Sequence, residues 1–287
     1  MSFYVLFLVL TAAVLHAFWN VLSKKAGGKA PFLWLMYIAS TIIYLPVLIC
    51  QVLKSQIIFS EALLWFSLSS AVLHITYYLI LQKGYRKGDL SIVYPLARGS
   101  GPLFSSAAAI LFLQEELKLF TTLGLVFILS GVLVVTGLRL KATTNLTKLT
   151  GVFWGILTGL FIAFYTFNDA VAIKSYAVSP LMITFLSNFL GCFLLFPLVI
   201  GQKVEIKREV REHKWPIMVI GFLSPAAYIL VLEAMKYAPL TVVAPARETS
   251  ILLGVFMGSR VLSEQNGKRR LIGSVLILAG IVTLSIA

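Results

Sequence analysis

Ten long apolar runs follow one another along this chain, and they constrain its fold more than any other feature. A helix needs about 20 apolar residues to cross a hydrocarbon core of about 30 Å, and each run has about that length. Short breaks with charged residues, Gly or Pro separate the runs. They predict helices at about 4–23, 31–53, 61–82, 90–113, 119–139, 150–172, 179–200, 215–236, 240–262 and 270–286.

The composition agrees with a chain that lies almost wholly in lipid. Of the 287 residues, 59% are hydrophobic and 12% are charged, against about 45–50% and about 25% in soluble domains. The first run has no cationic segment before it and no cleavage site after it, so we interpret it as a retained span. Cys50 and Cys192 fall inside apolar runs, where packing is a better interpretation than a disulfide or a metal pair. We therefore expect an all-α integral membrane protein without a cofactor or a metal.

The positive charges are distributed unevenly between the breaks. Of the 24 Lys and Arg residues, 18 lie after odd-numbered helices and 4 after even-numbered ones, while Arg98 and Arg247 lie within helices. Loops rich in Lys and Arg stay in the cytoplasm. This distribution predicts a multi-pass protein of the inner (plasma) membrane with both termini outside. Because the net charge of +13 follows topology, we do not expect nucleic acid as a partner.

An internal repeat relates the two halves of the chain. At an offset of 150 and then 149 residues, identical residues recur: Trp65 and Trp215, Tyr78 and Tyr228, Pro95 and Pro245, Arg98 and Arg247, Glu115 and Glu264, Gly124 and Gly273, Gly131 and Gly280. Each repeat has five spans, an odd number, so the second copy must be inverted. We predict repeats at 1–142 and 143–287 around a central cavity, an arrangement typical of secondary transporters that work by alternating access.

The repeats share a polar element at 92–102 and 242–250. Arg98 lies eight residues into its helix, about 12 Å deep, and Arg247 reaches a similar depth. An arginine at mid-membrane costs at least about 2.5–3.5 kcal/mol unless it faces a cavity or a partner. Residues that weaken a helix surround both arginines, and we expect them to break the hydrogen-bond ladder: Pro95, Gly99, Gly101, Pro102 and Pro245.

Two roles are open for the arginines. They could line the pathway and contact a carboxylate or phosphate of the substrate, or they could be structural and pair with Glu248, Asp169 or backbone carbonyls. Glu248 could be an ion-coupling carboxylate or a fixed counter-ion for an arginine. Asp169 and Glu233 lie nearer the outer ends of their predicted helices, so we interpret both as interfacial.

Other candidate substrate contacts lie at mid-helix positions. His16 and His74 could bind substrate or relay protons, or they could only join helices. Aromatic side chains could line a cavity, although packing against lipid explains many of them equally well. The aromatic candidates are Trp19, Tyr78, Tyr94 and Tyr228. A ridge of Gly151, Gly155 and Gly159 is typical of close packing between helices.

The stretch from Tyr94 to Pro102, followed by Glu115, resembles helix 4 of the EamA-type permeases of the drug/metabolite transporter superfamily. The second copy, from Pro245 to Glu264, is similar but lacks the Gly-Pro pair. The resemblance implies a ten-helix basket with a central cavity, and export or uptake of amino acids and related metabolites. Some relatives have cytoplasmic termini, which conflicts with the charge distribution here.

We therefore predict a secondary transporter of a small anionic or zwitterionic, amino-acid-like metabolite in the lipid bilayer. The alternative is a membrane-embedded enzyme or a lipid-handling protein, which needs a matched catalytic set. The sequence has no Walker loop, HExxH or GxSxG motif, and these are the motifs of nucleotide, zinc-protease and hydrolase chemistry. The absence of these motifs favours transport.

Overall fold

A computed structural model describes residues 1–26, 29–54, 60–88, 90–136, 146–250 and 267–286 of the chain. These residues form helices and contain no strand, so the predicted all-α class is confirmed. The helices in chain order are α1 (Phe3–Ala26), α2 (Ala30–Lys54), α3 (Glu61–Lys87), α4 (Leu90–Phe112), α5 (Leu119–Thr136), α6 (Leu146–Tyr176), α7 (Pro180–Val199), α8 (Lys203–Met235), α9 (Leu240–Arg247) and α10 (Gly267–Ile286).

Six of these helices are long and apolar enough to cross a membrane within the described part of the chain: α1, α2, α3, α6, α7 and α8. Shorter apolar stretches lie in α5 and α10, at Leu119–Val134 and Val275–Leu284. Large apolar side chains such as Phe3, Trp65 and Trp215 are exposed on the outside of the molecule, where hydrocarbon can surround them. The chain is an integral multi-pass membrane protein.

Three helices extend four or more residues beyond the predicted boundaries. α3 continues to Lys87, five residues past its predicted end, α6 continues to Tyr176, four residues past its own, and α8 begins at Lys203 instead of near 215. The first part of α8 is charged and ends at a kink where His213 has φ −123° and ψ 21°. A search for apolar runs misses such a segment because its helix carries a polar face along most of its length.

α4 is one helix from Leu90 to Phe112. Pro95 and Pro102 supply no N–H to its hydrogen-bond ladder, but the helix does not end at either residue. Gly99 and Gly101 lower the helix propensity but keep the ladder intact. Close packing against α6 supports the same segment.

The α4–α6 contact depends on glycine. A Cβ on Gly155 would meet the backbone oxygen of Val93 at 3.0 Å, and one on Gly159 would meet the backbone nitrogen of Gly101 at 3.0 Å. The glycine ridge of α6 therefore packs inside the molecule, where it holds α4 against α6.

α5 and α10 cross in opposite directions through two pairs of glycines. A Cβ on Gly124 would meet the oxygen of Gly280 at 3.0 Å, and a Cβ on Gly131 would meet the oxygen of Gly273 at 2.7 Å. Because the residue number rises along one helix as it falls along the other, the two helices are antiparallel.

Most contacts between the remaining helices join a helix of the first half of the chain to a helix of the second half. α1 packs on α8 while α3 packs on α6, and α2 packs on α8 while α3 packs on α7. Two further pairs, α2 with α7 and α4 with α9, complete the arrangement. Buried and half-buried polar residues of α1, α3, α4, α6, α8 and α9 lie close together within this arrangement.

Candidate functional site

Two arginines and one glutamate form the arginine centre, which comprises Arg98, Arg247 and Glu248. Arg98 Nη1 lies 3.6 Å from Glu248 Oε2, and Arg247 Nε lies 3.7 Å from Glu248 Oε1. The three residues are 9%, 5% and 1% exposed. Among the described residues, Arg247 Nε and Glu248 Oε2 make no hydrogen bond. One carboxylate thus pairs with two guanidinium groups, so the three residues carry a formal net charge of +1, and both ion pairs are longer than hydrogen bonds.

The end of α9 sets the position of this centre. α9 contains Pro245 and ends at Arg247, and Glu248 and Thr249 form a turn. In that turn the N–H of Glu248 donates to the Pro245 carbonyl at 3.0 Å, and the N–H of Thr249 donates to the Ala246 carbonyl at 3.2 Å. This tighter turn places the Glu248 side chain between the two guanidinium groups.

His16 of α1 completes the arginine centre on one side. Arg98 Nη2 lies 3.1 Å from His16 Nε2, and Trp19 Nε1 donates to His16 Nδ1 at 3.2 Å. Arginine and tryptophan only donate, whereas a neutral imidazole has one acceptor nitrogen. Only one of these two contacts can be a full hydrogen bond at a time, and either one requires His16 to be neutral.

Glu115 fixes the other end of α9 from the α4–α5 connection. Its Oε1 accepts from the N–H of Leu240 at 2.7 Å, its Oε2 accepts from the N–H of Thr241 at 2.9 Å, and Lys174 Nζ donates to Oε1 at 2.6 Å. Burial by itself raises the pKa of the Glu115 carboxyl, but these hydrogen bonds lower the pKa below its ordinary value. An anion at a helix N-terminus is favourable, so Glu115 holds α9 in place.

A second buried group, the aspartate cluster, comprises Ser70, His74, Asn168, Asp169 and Tyr228 from α3, α6 and α8. Asp169 is 0% exposed. Its Oδ2 accepts from Ser70 Oγ at 3.0 Å and from the Tyr228 hydroxyl, and its Oδ1 accepts from Asn168 Nδ2 at 2.9 Å. Within the described ranges Asp169 forms no ion pair. Neutral donors alone therefore hold this carboxylate.

Asp169, which was interpreted as interfacial, is buried within the protein. α6 extends to Tyr176, seven residues beyond it, about 10 Å along the helix. Glu233, which was interpreted in the same way, is partly exposed and pairs with Lys236 at 2.7 Å.

His74 joins the aspartate cluster through the backbone of α3. Its Nδ1 lies 2.9 Å from the Ser70 carbonyl oxygen and 3.3 Å from Ser70 Oγ. Its ring stacks on Tyr165 with centroids 4.0 Å apart and meets the Tyr228 ring edge to face at 5.3 Å. Arg247 lies within electrostatic range of Tyr165 and Tyr228, so these tyrosines lie between the aspartate cluster and the arginine centre.

The structure separates the predicted site residues into groups. Arg98, Arg247, Glu248 and His16 meet in the arginine centre, with Trp19 beside it. His74 and Tyr228 belong to the aspartate cluster. Tyr78 packs instead in an apolar cluster with Leu33, Ile75 and Leu195, away from its repeat equivalent Tyr228. The side chains of Tyr94 and Pro95 lie outside the described residues.

Two members of the aspartate cluster escaped the sequence analysis: Asp169 as a buried acid, and Ser70. A signal was present in the sequence, because Asn168 and Asp169 are adjacent polar residues in an apolar run. Ser70 and His74 lie four residues apart, which places them on one face of a helix.

Comparison with known proteins relates the whole chain to membrane transporters. The profile of the EamA-like transporter family matches residues 3–137 and 149–286. An uncharacterised protein of Methanocaldococcus jannaschii is 32% identical over 127 residues, which are 44% of this chain and 92% of that relative. That relative is therefore about half as long as this chain.

A solved crystal structure, described only as that of a protein, has the same fold. It superposes with a TM-score of 0.75 and 13% sequence identity, and the match covers 98% of each chain. At this identity the likeness concerns the fold alone. The family match confirms the resemblance that the stretch from Tyr94 to Pro102 indicates.

Proposed function

Because this chain belongs to the EamA-like transporter family, within the drug/metabolite transporter superfamily, we propose that it is a secondary transporter of a small anionic or zwitterionic, amino-acid-like metabolite. It would carry this substrate across the inner membrane by alternating access. Family membership supports transport over the alternative of a membrane-embedded enzyme or a lipid-handling protein.

The observation that carries the proposal is the state of Arg247. Its guanidinium is 5% exposed, and in the described part of the chain its Nε makes no hydrogen bond. An unsatisfied buried donor costs about 1–3 kcal/mol, and more when the donor is charged. A substrate carboxylate would satisfy this donor with a charge-assisted hydrogen bond.

The origin of the two arginines supports alternating access. Arg98 belongs to the first half of the chain and Arg247 to the second, and Glu248 lies within 4 Å of both. An anion bound here would touch both halves. In a transporter that rocks one half against the other, the substrate lies at such a boundary.

Helix directions support our proposal of ten spans in two inverted repeats, 1–142 and 143–287. α5 and α10 hold equivalent positions in the repeats and run antiparallel through Gly124 and Gly131. α2 and α7 are also equivalent, and Trp34 and Ser40 of α2 contact Cys192 and Asn188 of α7 in antiparallel order. Equivalent helices that run in opposite directions are expected of an inverted repeat.

A binding screen on the purified protein tests the substrate class. We expect some L-amino acids to raise the unfolding midpoint, because a ligand that binds only the folded state stabilises it. The matched control for each hit is its decarboxylated amine, which has the same side chain but lacks the carboxylate. An amine that stabilises the protein as much as its amino acid would contradict recognition by the arginine centre.

Labelling tests the orientation that the loop charges predict. A single cysteine at either terminus, in a background with Cys50→Ser and Cys192→Ser, should react with an impermeant maleimide added to intact cells. Reaction only after the membrane is opened would place the termini in the cytoplasm.

A further inference from the structure

A small cavity lies beside Asp169, between α2, α3, α6, α7 and α8. Its volume is about 30 Å³, enough for one or two water molecules or ions of similar size. Most of its wall is apolar, but eight of the ten residues that line it carry a polar side-chain group. The side chains with oxygen atoms on its wall include Ser70, Asp169, Thr184, Ser187, Asn188 and Tyr228.

Four of these side chains donate a hydrogen to an acceptor in the protein. Ser70 and Tyr228 donate to Asp169, Ser187 Oγ donates to the Ile183 carbonyl at 2.6 Å, and Asn188 Nδ2 donates to Ser40 Oγ at 2.9 Å. A hydroxyl that donates outward keeps its lone pairs for the cavity. The wall therefore presents oxygen acceptors, which suits a cation and disfavours an anion.

Thr184 supplies an independent observation. It lines the cavity and is 6% exposed, yet among the described residues its Oγ1 has no hydrogen-bond partner. Leaving a hydroxyl unsatisfied inside a protein is costly. A cation beside Asp169 would use this oxygen and would also balance a carboxylate that forms no ion pair with the described residues.

Titratable groups on α2, α3, α8 and α9 lie near Asp169. On α3 the neighbour is His74, which interacts electrostatically with Asp169 and whose Nδ1 lies 2.9 Å from the Ser70 carbonyl oxygen. On α8 it is Tyr228, and on α2 the hydroxyl-bearing Tyr37 lines the cavity. Arg247 of α9 acts at longer range through Tyr165 and Tyr228.

We propose that this cavity is a Na⁺ site, in which Asp169 supplies the charge and the oxygens of Thr184, Ser187 and Asn188 supply neutral ligands. Hard cations such as Na⁺ prefer oxygen ligands. Secondary transporters place coupling ions near the substrate at the midplane. Use of the bound Na⁺ for coupling rests on the proposed transport function, whereas the binding itself does not.

Unfolding of the purified protein tests binding without a substrate or a second compartment. NaCl is titrated against choline chloride at fixed pH and ionic strength, and the unfolding midpoint is followed by tryptophan fluorescence. We expect a saturable rise of the midpoint in NaCl and no rise in choline chloride. KCl should give a weaker response at equal concentration.

Two threonine variants separate a ligand from a merely buried hydroxyl. Thr184→Val keeps the shape and the carboxylate but removes one ligand, and it should need about tenfold more NaCl for the same rise. Thr166→Val is the control, because Thr166 Oγ1 is equally buried and unpartnered among the described residues but lies outside the cavity. Asp169→Asn should abolish the response.

Three outcomes would overturn the proposal. The first is a midpoint that rises equally in NaCl and choline chloride. The second is a wild-type NaCl response in Thr184→Val. The third is stabilisation by acid alone that Asp169→Asn removes, which would make the cavity part of a proton site. Arg247→Gln should keep the NaCl response while losing amino-acid binding. A failure of the transport proposal can therefore be distinguished from a failure of the Na⁺ site.

Discussion

The arginine centre and the aspartate cluster handle buried charge in opposite ways. In the arginine centre, one carboxylate pairs with two guanidinium groups at 3.6–3.7 Å, with few hydrogen bonds. In the aspartate cluster, a carboxylate is held by short hydrogen bonds from neutral groups. In the first arrangement, loss of the carboxylate leaves two buried charges without their partner. In the second, we propose that a cation in the cavity balances the carboxylate.

The two groups also differ in their relation to the sequence repeat. Arg98 and Arg247 are repeat equivalents, and both lie in the same centre. Tyr78 and Tyr228 are equivalents too, but only Tyr228 reaches Asp169. The repeat therefore predicts where the arginines meet, whereas the aspartate cluster exists on one side only. Duplication of a fold does not duplicate its chemistry.

The largest difference should appear when each carboxylate is neutralised. Glu248→Gln removes the carboxylate that two buried guanidinium groups share, and breaking such a pair costs about 3–5 kcal/mol. Asp169→Asn leaves no cation stranded among the described residues, and the Ser70 and Tyr228 hydroxyls can rotate. In sodium-free buffer it should change stability by about 1 kcal/mol or less. Chemical unfolding measures both, and equal losses would contradict the distinction.

Transport should depend more on the arginine centre than on the cluster. Arg247→Gln removes the donor proposed for the substrate carboxylate, so flux of the amino acid retained from the screen should fall about 100-fold or more. Tyr228→Phe removes one hydrogen bond to Asp169 and should reduce flux about tenfold. Uptake into proteoliposomes is the measurement. Size-exclusion chromatography controls for folding, and the profiles of both variants should match that of the wild type. A larger loss of flux in Tyr228→Phe than in Arg247→Gln would contradict the greater dependence of transport on the arginine centre.

A substitution outside both groups should change stability alone. A Cβ on Gly131 would meet Ile277 Cγ1 at 2.6 Å and the Gly273 backbone oxygen at 2.7 Å, so Gly131→Ala should destabilise the protein by about 1–3 kcal/mol. Gly201→Ala is the control, because nothing lies within 4 Å of its Cβ. Amino-acid and NaCl responses measured below the unfolding transition should match the wild type. A changed response in either would link α5 and α10 to the polar groups.

The smallest effect concerns Glu115, which supports only the arginine centre. Glu115→Gln should cost about 1 kcal/mol because it weakens the hydrogen bonds to the start of α9. Since the hydrogen bonds to Glu115 lower its pKa in the folded protein, the cost should be full at neutral pH and disappear as the pH falls below about 4. Unfolding at several pH values measures this dependence.

The neighbouring Glu116 gives the control for that measurement, since it is exposed. Glu116→Gln should match the wild type at every pH. The NaCl response of Glu115→Gln should also stay at the wild-type level, because α9 does not line the cavity beside Asp169. A cost for Glu115→Gln that persists in acid would show that the side chain acts through its shape and not through its charge.

Sequence reasoning found the arginine centre and missed the aspartate cluster for physical reasons. A charged residue deep in an apolar run is visible without a structure, and the repeat paired Arg98 with Arg247. The position of Asp169 depended on where α6 ends, and the run of apolar residues stops before the helix does. Helix length beyond the apolar core is set by hydrogen bonds and caps, which hydropathy does not measure.

The continuity of α4 teaches a related point. Pro95, Gly99, Gly101 and Pro102 each weaken a free helix, so their spacing predicted a break. In the folded protein the glycines of α6 allow its backbone to reach Val93 and Gly101, and this packing outweighs propensity. α9 is only eight residues long and ends two residues after Pro245.

The two sides of the contact between α5 and α10 have the same arrangement of glycines. Gly124 faces Gly280 and Gly131 faces Gly273, so each helix offers its counterpart the same two notches in reverse order. A contact of this kind has approximate two-fold symmetry, because the same surface is used on both sides. In the two five-helix repeats that we propose, α5 and α10 occupy the same position, so one stretch of the repeat supplies both sides of this contact.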